Sequence, residues 1–351
     1  TLFIIDEASM IANQSFENSI FGSGNLLDDL ITYVNDGRNC KLIIIGDTAQ
    51  LPPVKLELSP ALEKNVLEGY GLKVHEVVLS EVVRQSEKSG ILSNATNVRK
   101  LITHSHPDFP KLVTHGFQDI KKIYGEDLIE TISDAYNKYG MEETMIVTRS
   151  NKQANKYNQG IRNTILWRED VIAAGDLLMV VKNNYYWYEI NEREGFLANG
   201  DIVEIVKVKK YEERYGHRFA HITIRVIDDD DYEFDTIIFL ETLTIETASL
   251  KQEQNKELFY KIMKDYGKFS PRQQYKKVRT NKYFNALQVK FAYAVTCHKA
   301  QGGQWKCIFI DQGYINEEML SIEYLRWLYT AITRARKKLY LVNFRNEFLQ
   351  Q

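Results

Sequence analysis

Short runs of consecutive apolar residues, several of them β-branched, recur along the chain and end abruptly in polar residues. The first two cover residues 2–5 and 42–45. Because these runs are continuous rather than alternating, they are typical of parallel strands that are covered on both faces. Similar runs follow at residues 144–147, 292–295, 307–310 and 339–342. The pattern predicts an α/β fold built on parallel sheets.

The middle of the chain follows a different pattern. Residues 202–208 and 221–226 alternate between apolar and polar positions, and the pairs Asn199-Gly200 and Tyr215-Gly216 are turn signals. Residues from about 175 to 248 are therefore predicted to form a small antiparallel barrel or sandwich, inserted into the second α/β unit. Helices are predicted, in pieces, within residues 90–139, 151–162 and 250–285.

The composition narrows the class of protein. With 351 residues, the chain is long enough for two or three domains. It is 44% hydrophobic and 26% charged, and it contains no apolar stretch near the roughly 18 residues that a membrane span requires. Its three cysteines have no paired short spacing, which argues against a disulfide framework and a zinc site. We expect a cytoplasmic protein without a membrane partner.

The net charge of −2 gives no sign of a nucleic-acid partner, but the charge is unevenly distributed. Residues 251–290 contain eleven Lys or Arg against three Asp or Glu, a net of +8, and an acidic cluster precedes them at residues 228–235. Aromatic residues are interleaved with these cations: Phe259, Tyr260, Tyr266, Phe269, Tyr275, Tyr283 and Phe284. Such rings either stack on bases or face a protein core, and both interpretations stay open here.

Two adjacent carboxylates follow the first predicted strand. Asp6 and Glu7 suit phosphoryl transfer to water, in which one carboxylate holds Mg²⁺ through its water shell and the other orients the attacking water. The alternative is a helix start, with Asp6 or Ser9 as its cap. Because ligands of open α/β sheets bind at the carboxyl edge, we expect these residues to face the same crevice as those after the second strand.

The second strand leads into residues 46–54, whose sequence is Gly-Asp-Thr-Ala-Gln-Leu-Pro-Pro-Val. Gly46 permits a tight backbone, and Gln50 is placed to hydrogen-bond at the edge of the sheet. A glutamine there would sense a terminal phosphate and report its hydrolysis to a neighbouring nucleic-acid groove. The alternative is an ordinary connection on the surface.

Arg84 and Arg334 are candidate arginine fingers, because a guanidinium pairs with two phosphate oxygens and neutralises charge in the transition state. A helical projection of residues 325–335 places Arg334 about 180° from Leu325, so it is predicted to project from the domain. The alternative is that Arg334 favours the C-terminal dipole of a helix.

Polar and basic residues follow the predicted strand 292–295. Thr296, His298, Lys299 and the run Gln301-Gly302-Gly303 place small polar and cationic groups where the phosphates of a single strand would be bound.

Taken in order, these motifs resemble those of superfamily 1 helicases, and most of all the RecD-like branch, which includes the exonuclease V alpha-subunit type. The motifs that carry the resemblance are Asp6-Glu7-Ala8-Ser9, residues 46–54, residues 79–85, residues 148–151 with Asn158 and Arg162, residues 199–203, residues 296–302 and residues 329–336. They span nearly the whole chain.

The resemblance implies a 5′-to-3′ DNA translocase with two RecA-like parallel-sheet domains, the first of them incomplete, and an SH3-like antiparallel insertion in the second. The implied segments are 1–88 (domain 1A), 89–174 (2A, first part), 175–284 (insertion 2B with the basic helices) and 285–351 (2A, second part). ATP and Mg²⁺ would bind between the two domains, and single-stranded DNA would cross their top.

The resemblance also implies individual roles. Asp6 would hold Mg²⁺, Glu7 would be the base, Gln50 the phosphate sensor, and Arg84 and Arg334 the fingers. The positions implied to adjoin the nucleotide are Gly46, Asp47, Gly302 and Gln304, the last of which stands where many relatives carry Glu. The positions implied to contact nucleic acid are Thr148, Asn151, Thr296, His298, Lys299, Gln301 and Tyr329.

No glycine-rich phosphate loop is found in the sequence, which starts at Thr1 within an apolar strand. We therefore expect a Walker A loop before Thr1 in a longer parent protein, and poor ATP binding by these residues alone. Two alternatives are a non-catalytic nucleic-acid-binding module derived from a helicase and the motor portion of a conjugative relaxase. Other subunits of a repair or recombination complex are conceivable partners.

Overall fold

The computed structural model describes residues 1–13, 23–79, 89–103, 109–227, 229 and 232–350. Its strands are β1 (Leu2–Ile5), β2 (Lys41–Ile44), β3 (Ile120–Ile123), β4 (Thr144–Thr148), β5 (Leu177–Val180), β6 (Ile202–Arg214), β7 (His217–Val226), β8 (Glu233–Phe239), β9 (Val289–Phe291), β10 (Ala294–Thr296), β11 (Trp305–Asp311) and β12 (Ala335–Val342). Its helices are α1 (Leu26–Asn35), α2 (Lys64–Gly69), α3 (Gly90–Ile102), α4 (Leu128–Tyr139), α5 (Asn151–Gly160), α6 (Tyr186–Ile190), α7 (Gln252–Lys264), α8 (Pro271–Arg279), α9 (Cys297–Ala300) and α10 (Ile322–Ile332).

The chain divides into two compact units. The first combines Thr1–Ile123 with Ala300–Gln351, and the second is Tyr124–Lys299. The four-segment division expected from the sequence remains a prediction. No helix within the described ranges has both the length and the apolar character needed to cross a membrane.

The first unit contains two groups of parallel strands. In one group β1 pairs with β2, so that Ile5 lies opposite Ile44. In the other group β12 pairs with β11 on one side and with β3 on the other. One face of the β1–β2 pair packs on a small core formed by Ala8, Ile11, Leu27, Ile31, Ala61 and Leu67. On the other face Leu2, Ile4, Ile43 and Ile45 remain between 44% and 59% exposed.

The second unit combines a parallel pair with an antiparallel sheet. Strand β10 pairs with β4, and their residues are almost all buried. The sheet has the order β8-β7-β6-β5-β9, and every neighbouring pair is antiparallel. The antiparallel prediction is therefore confirmed, and the sheet also takes in β9, beyond the predicted insertion. The β6–β7 turn is the predicted one, with positive φ at Tyr215 and Gly216, as a two-residue hairpin requires.

Helix α5 is fixed to β10 through Asn158, one of the residues that carry the resemblance. Its amide oxygen accepts hydrogen bonds from the Tyr293 and Ala294 backbone N–H groups (3.1 and 2.8 Å), and its amide nitrogen donates to the Ala294 carbonyl at 2.9 Å. Because Asn158 is 3% exposed, losing these bonds would leave buried polar groups unsatisfied. Its role in this structure is to hold a helix against a strand.

Candidate functional site

The two carboxylates predicted to serve hydrolysis lie directly after β1. Asp6 is exposed and accepts a 2.8 Å hydrogen bond from the Glu7 backbone N–H. Glu7 has a left-handed backbone with φ of 51°, which costs a non-glycine residue about 1–2 kcal/mol. The Ala8 N–H holds this conformation by donating to the Ile45 carbonyl at 2.9 Å. The carboxylates are thus fixed at the carboxyl end of the parallel pair, where ligands of such sheets bind.

The alternative interpretation of Asp6 and Glu7, the capped start of a helix, is not observed in the structure. The turn Ala8–Met10 is a single 3₁₀ turn, and no side chain caps it. No group of three His, Cys, Asp or Glu side chains is placed to hold a metal among the residues that the structure covers. The exposed oxygens of Asp6 instead suit Mg²⁺, which commonly binds through one or two carboxylates and completes its shell with water and substrate phosphates.

Gly46 follows β2 and lies against the segment after β1. A Cβ atom at this position would lie 2.9 Å from two Leu62 side-chain carbons and 3.0 Å from the Ser9 backbone nitrogen. The absence of a side chain therefore lets the two segments approach each other closely, which agrees with the tight backbone expected from the sequence.

Asp47, the next residue, belongs to a polar cluster that the sequence did not reveal. Arg99 of α3 donates to the Asp47 carboxylate at 2.8 Å and to the Tyr329 hydroxyl at 2.9 Å. The Tyr329 hydroxyl in turn donates to Asp47 at 2.7 Å. Burial, reinforced by the Asp47 carboxylate, raises the pKa of Tyr329 to about 12. Tyr329 is 8% exposed, and its hydroxyl is bonded within this cluster, so its predicted contact with nucleic acid stays a prediction.

Replacing Tyr329 by Phe should therefore affect stability more than binding. We expect Tyr329→Phe to lower the free energy of unfolding by about 1–2 kcal/mol, because the Asp47 and Arg99 bonds are lost while the ring remains. Urea denaturation measures this change, with Tyr33→Phe as a control because Tyr33 is 69% exposed. A large loss of single-stranded-DNA affinity with unchanged stability would instead restore a contact role for the hydroxyl.

Gln301 connects the segments that follow β1 and β2. Its amide nitrogen lies 3.1 Å from the Ser9 hydroxyl, 3.3 Å from the Gln50 side-chain oxygen and 3.1 Å from the Leu51 carbonyl. The Leu51 N–H donates to the Thr330 hydroxyl of α10 at 3.0 Å. Gln301 is 9% exposed, so its side chain is committed to these bonds. The structure thereby joins two predicted site residues, Gln50 and Gln301, by a direct contact.

The prediction that Arg334 projects from the domain is wrong. Arg334 is 4% exposed, and its guanidinium donates to the Thr330 and Gly303 carbonyls at 3.0 and 3.2 Å and to the Thr333 hydroxyl at 3.1 Å. The projection assumed a helix through residue 335, but α10 ends at Ile332 and β12 begins at Ala335. The Arg334 side chain therefore stabilises the connection between α10 and β12 through these hydrogen bonds. Arg84, the other candidate finger, lies outside the described residues.

The predicted nucleic-acid contacts in the second unit differ in accessibility. Thr148 is fully buried, and its hydroxyl lies 3.1 Å from the Ser150 carbonyl and 3.3 Å from the Val295 carbonyl. Its predicted contact with nucleic acid stays a prediction. Asn151 and Thr296 are partly exposed, and His298 is exposed. Lys299 donates to the side chain of Asn199, in the predicted Asn199-Gly200 turn.

Lys290, in β9, is a buried cation that the sequence analysis did not single out. It is 8% exposed, and its amine donates to the Ile245 carbonyl at 2.6 Å. Burial, and to a smaller degree the charge of Lys299, lowers the pKa of Lys290 to about 8. The folded chain therefore carries the cost of a buried charge at neutral pH.

This cost gives a pH-dependent prediction. Below pH 8 the amine is charged in both the folded and the unfolded chain, whereas between pH 8 and the ordinary value of 10.5 the folded chain loses the proton first. Stability should therefore rise with pH across this window. We expect Lys290→Met to stabilise the chain by about 1–3 kcal/mol at pH 7 and to lose this advantage above pH 10.5.

Urea denaturation at pH 7 and pH 10 tests this prediction. Ile245 keeps a second donor, the Asn155 amide at 3.2 Å, so the variant does not leave that carbonyl unsatisfied. Lys152→Met, at an exposed position of α5, is the control and should show no such dependence. A destabilised Lys290→Met protein at pH 7 would mean that the bond of the amine outweighs the burial of its charge.

The remaining predicted positions lie on one loop. Gly302 has φ of 84°, a conformation that favours glycine, and both Gly302 and Gln304 are exposed. Their predicted contacts to the nucleotide stay predictions. Arg99 and Thr330 are the residues of this region that sequence reasoning missed. Arg99 is 52 residues from Asp47 and 230 from Tyr329, and no local pattern encodes contacts at such separations.

Comparisons with known proteins agree with this architecture. Residues 291–342 match the model of the UvrD-like helicase C-terminal domain. The uncharacterized protein R530 of Acanthamoeba polyphaga mimivirus is 24% identical over 387 residues, which covers 96% of this chain and 74% of that protein.

Solved structures share the fold. A Bacteroides Pif1 helicase in complex with ADP-AlF3 and single-stranded DNA is 14% identical to this chain, with a TM-score of 0.51. The match covers 100% of this chain and 72% of the Pif1 chain. A structure of two coordinating Pif1 helicases at forked double-stranded DNA is 15% identical, with 100% and 71% coverage and a TM-score of 0.50. The predicted fold class, mixed α/β with RecA-like parallel-sheet domains, is confirmed.

Proposed function

We propose that this chain carries the motor of an ATP-dependent DNA helicase that translocates along single-stranded DNA. The observation that carries the proposal is the Gln301 amide, which bonds Ser9 after β1 and both Gln50 and Leu51 after β2. A motor needs its strand-binding segment to respond to the state of the nucleotide, and a buried polar contact of this kind is a physical means of coupling them.

The proposal extends to ligands and biological setting. ATP is the substrate, in keeping with the ADP-AlF3 and single-stranded DNA bound by the similar Bacteroides helicase. We further propose the RecD-like branch, 5′-to-3′ movement, a role in repair or recombination in the cytoplasm, and the four-segment division given above.

Glu7 is proposed to orient the attacking water and to accept its proton, because its fixed backbone holds the carboxylate at the edge of the sheet. Gln50 is proposed to sense the terminal phosphate, and its bond to Gln301 would then carry that signal. Mg²⁺, held beside Asp6 through water, would neutralise charge on the phosphates. The cluster of Asp47, Arg99 and Tyr329 is proposed to keep the segment after β2 in place.

The exposed and partly exposed residues Asn151, Thr296, His298 and Lys299 are proposed to contact the phosphates of the strand. Such contacts are sequence-independent and weaken as salt is added. They therefore suit a motor that must bind any sequence and release each nucleotide in turn.

The test is ATP hydrolysis by the full-length natural protein, with and without single-stranded DNA. We expect DNA to stimulate phosphate release, and we expect a translocating protein to displace streptavidin from only one end of a biotinylated strand. Binding of single-stranded DNA without any hydrolysis would contradict the motor and favour the non-catalytic module. Displacement at the opposite end would contradict the proposed 5′-to-3′ direction.

The role of Gln301 can be tested separately. We expect Gln301→Ala to lose about tenfold or more of the DNA stimulation of ATP hydrolysis, because its bonds to Ser9, Gln50 and Leu51 are removed. Affinity for single-stranded DNA should stay within about threefold, since the amide faces the protein. Gln159→Ala, at an exposed position of α5, is the matched control. Equal stimulation in variant and wild type would exclude Gln301 from the coupling.

A further inference from the structure

Helix α8 has a charge distribution that ordinary surface helices lack. No Asp or Glu occurs between residues 266 and 290, whereas this stretch contains seven Lys or Arg. Four of the cations, Arg272, Lys276, Lys277 and Arg279, lie on α8, and no carboxylate pairs with any of them in the part of the chain that the structure describes. Solvated helices normally mix charges of both signs. The absence of any neutralising charge suggests that a polyanion supplies it.

The helix dipole accounts for only part of this distribution. Lys276, Lys277 and Arg279 are in the last turn, where cations are favoured. Arg272 is in the first turn, where a cation is disfavoured, and it lies four residues before Lys276, a spacing at which like charges repel. Helix stability alone therefore does not account for Arg272.

Three of these cations lie on one face. Arg272, Lys276 and Arg279 recur at helical spacing with Tyr275, and all four residues are exposed. Val278 is the buried residue of α8. The face extends for about 10 Å along the helix, and double-stranded DNA presents one negative charge per ~1.7 Å of its axis. We call Arg272, Tyr275, Lys276 and Arg279 the basic face.

The geometry of Tyr275 distinguishes phosphate contact from base stacking. The Arg279 guanidinium lies 5.0 Å from the centroid of the Tyr275 ring, and the Phe259 ring of α7 lies 5.5 Å away. A ring with such neighbours orients a cation and is less open to a base. The helix start is also fixed, because Ser270 and Gln273 form a capping box and Pro271 is the first helical residue. The face is therefore a preformed set of cations.

We infer that the basic face of α8 binds the phosphate backbone of double-stranded DNA, next to the single strand on which the proposed motor moves. A stacking groove for an unpaired strand would need open rings, whereas duplex phosphates need only positioned cations. The inference rests on the proposed function for the choice of DNA as the polyanion. It adds a duplex contact outside the residues proposed for hydrolysis and for strand binding.

The experiment measures DNA binding by the full-length natural protein without nucleotide, so it does not depend on hydrolysis. The variant combines Arg272→Gln, Lys276→Gln and Arg279→Gln. The matched control combines Arg38→Gln, Lys41→Gln and Lys73→Gln, three exposed cations of the first unit. The probes are a labelled single strand and the same strand extended by a 20-base-pair duplex, titrated over a range of NaCl concentrations.

We expect the α8 variant to lose tenfold or more in affinity for the partial duplex and to stay within twofold for the single strand. Its plot of log affinity against log salt should flatten by about 2–3 for the partial duplex, since each lost phosphate contact contributes ~0.9. The control variant should match wild type. An equal loss for both probes, an equal loss in the control, or an unchanged salt slope would overturn the inference.

Two further measurements test the inference against a folding defect and against lipid binding. Circular dichroism should show the same helix content in variant and wild type, and a loss of helix would overturn a direct contact. The lipid test measures whether vesicles that contain anionic lipid displace the partial duplex from the wild-type protein. Displacement that is lost in the variant of Arg272, Lys276 and Arg279 would overturn the choice of DNA as the polyanion. Failure of DNA-stimulated ATP hydrolysis in wild type would count against the motor alone and would leave this binding difference intact.

Discussion

Replacing Glu7 by Gln in the full-length natural protein should reduce DNA-stimulated ATP turnover by about 10³-fold and leave nucleotide affinity within a few-fold. Glutamine keeps the size of the side chain but cannot accept a proton, and a positioned general base contributes ~10²–10⁴ to a rate. The backbone that aims this residue should survive, because the bond from the Ala8 N–H to the Ile45 carbonyl does not involve the side chain. Single-turnover phosphate release at saturating single-stranded DNA is the measurement.

The control for this prediction is Glu63→Gln. Glu63 belongs to the same unit, and its side chain makes no capping bond to α2. The Glu63→Gln variant should hydrolyse ATP at the wild-type rate. If Glu7→Gln turned over as fast as this control, Glu7 would not be the base, and its left-handed backbone at φ 51° would serve only to shape the turn after β1. If nucleotide binding were lost together with turnover, Glu7 would act in binding.

Local sequence patterns predicted those strands and turns that neighbouring residues in the sequence determine. Continuous apolar runs predicted strands β1, β2, β4 and β11. Burial on both faces explains the run in β4 and β11, whereas β1 and β2 leave one apolar face exposed, so the expectation that both of their faces are covered is wrong for the described residues. The Tyr215-Gly216 turn was predictable because two positive φ angles suit few residue pairs.

Contacts between distant residues were not predictable in this way. The Arg99 bonds to Asp47 and Tyr329 depend on how α3 and α10 pack, which no periodicity encodes. The error at Arg334 had a different origin, since a helical pattern does not mark its own last residue when the next strand begins three residues later. The nearby residues Gln50 and Gln301 were predicted singly, but their mutual bond emerged only from the structure.

The second unit contains a buried cluster of charged side chains. Of its members, only Arg162 was singled out by the sequence motifs. Asp176 is fully buried and pairs with Arg162 at 3.1 Å and with Arg168 at 2.8 Å. It also accepts bonds from the Tyr293 hydroxyl at 2.9 Å and from the Ala173 N–H at 2.8 Å. The Arg162 guanidinium is itself 2% exposed and lies 4.4 Å from the centroid of the Phe291 ring. One fully buried carboxylate is therefore the shared counter-charge of two arginines.

Removing the charge of the Asp176 carboxylate should strongly destabilise the second unit. We expect Asp176→Asn to lower the free energy of unfolding of the second unit by about 3–5 kcal/mol, because it leaves two guanidinium groups without a counter-charge. Hydrogen exchange of the β5 and β6 amides follows this unit without assuming two-state unfolding of the whole chain. Asp170→Asn is the matched control, since Asp170 is exposed and bonds Arg162 through its backbone carbonyl alone. Equal protection in the two variants would show that the arginines do not depend on the charge of Asp176.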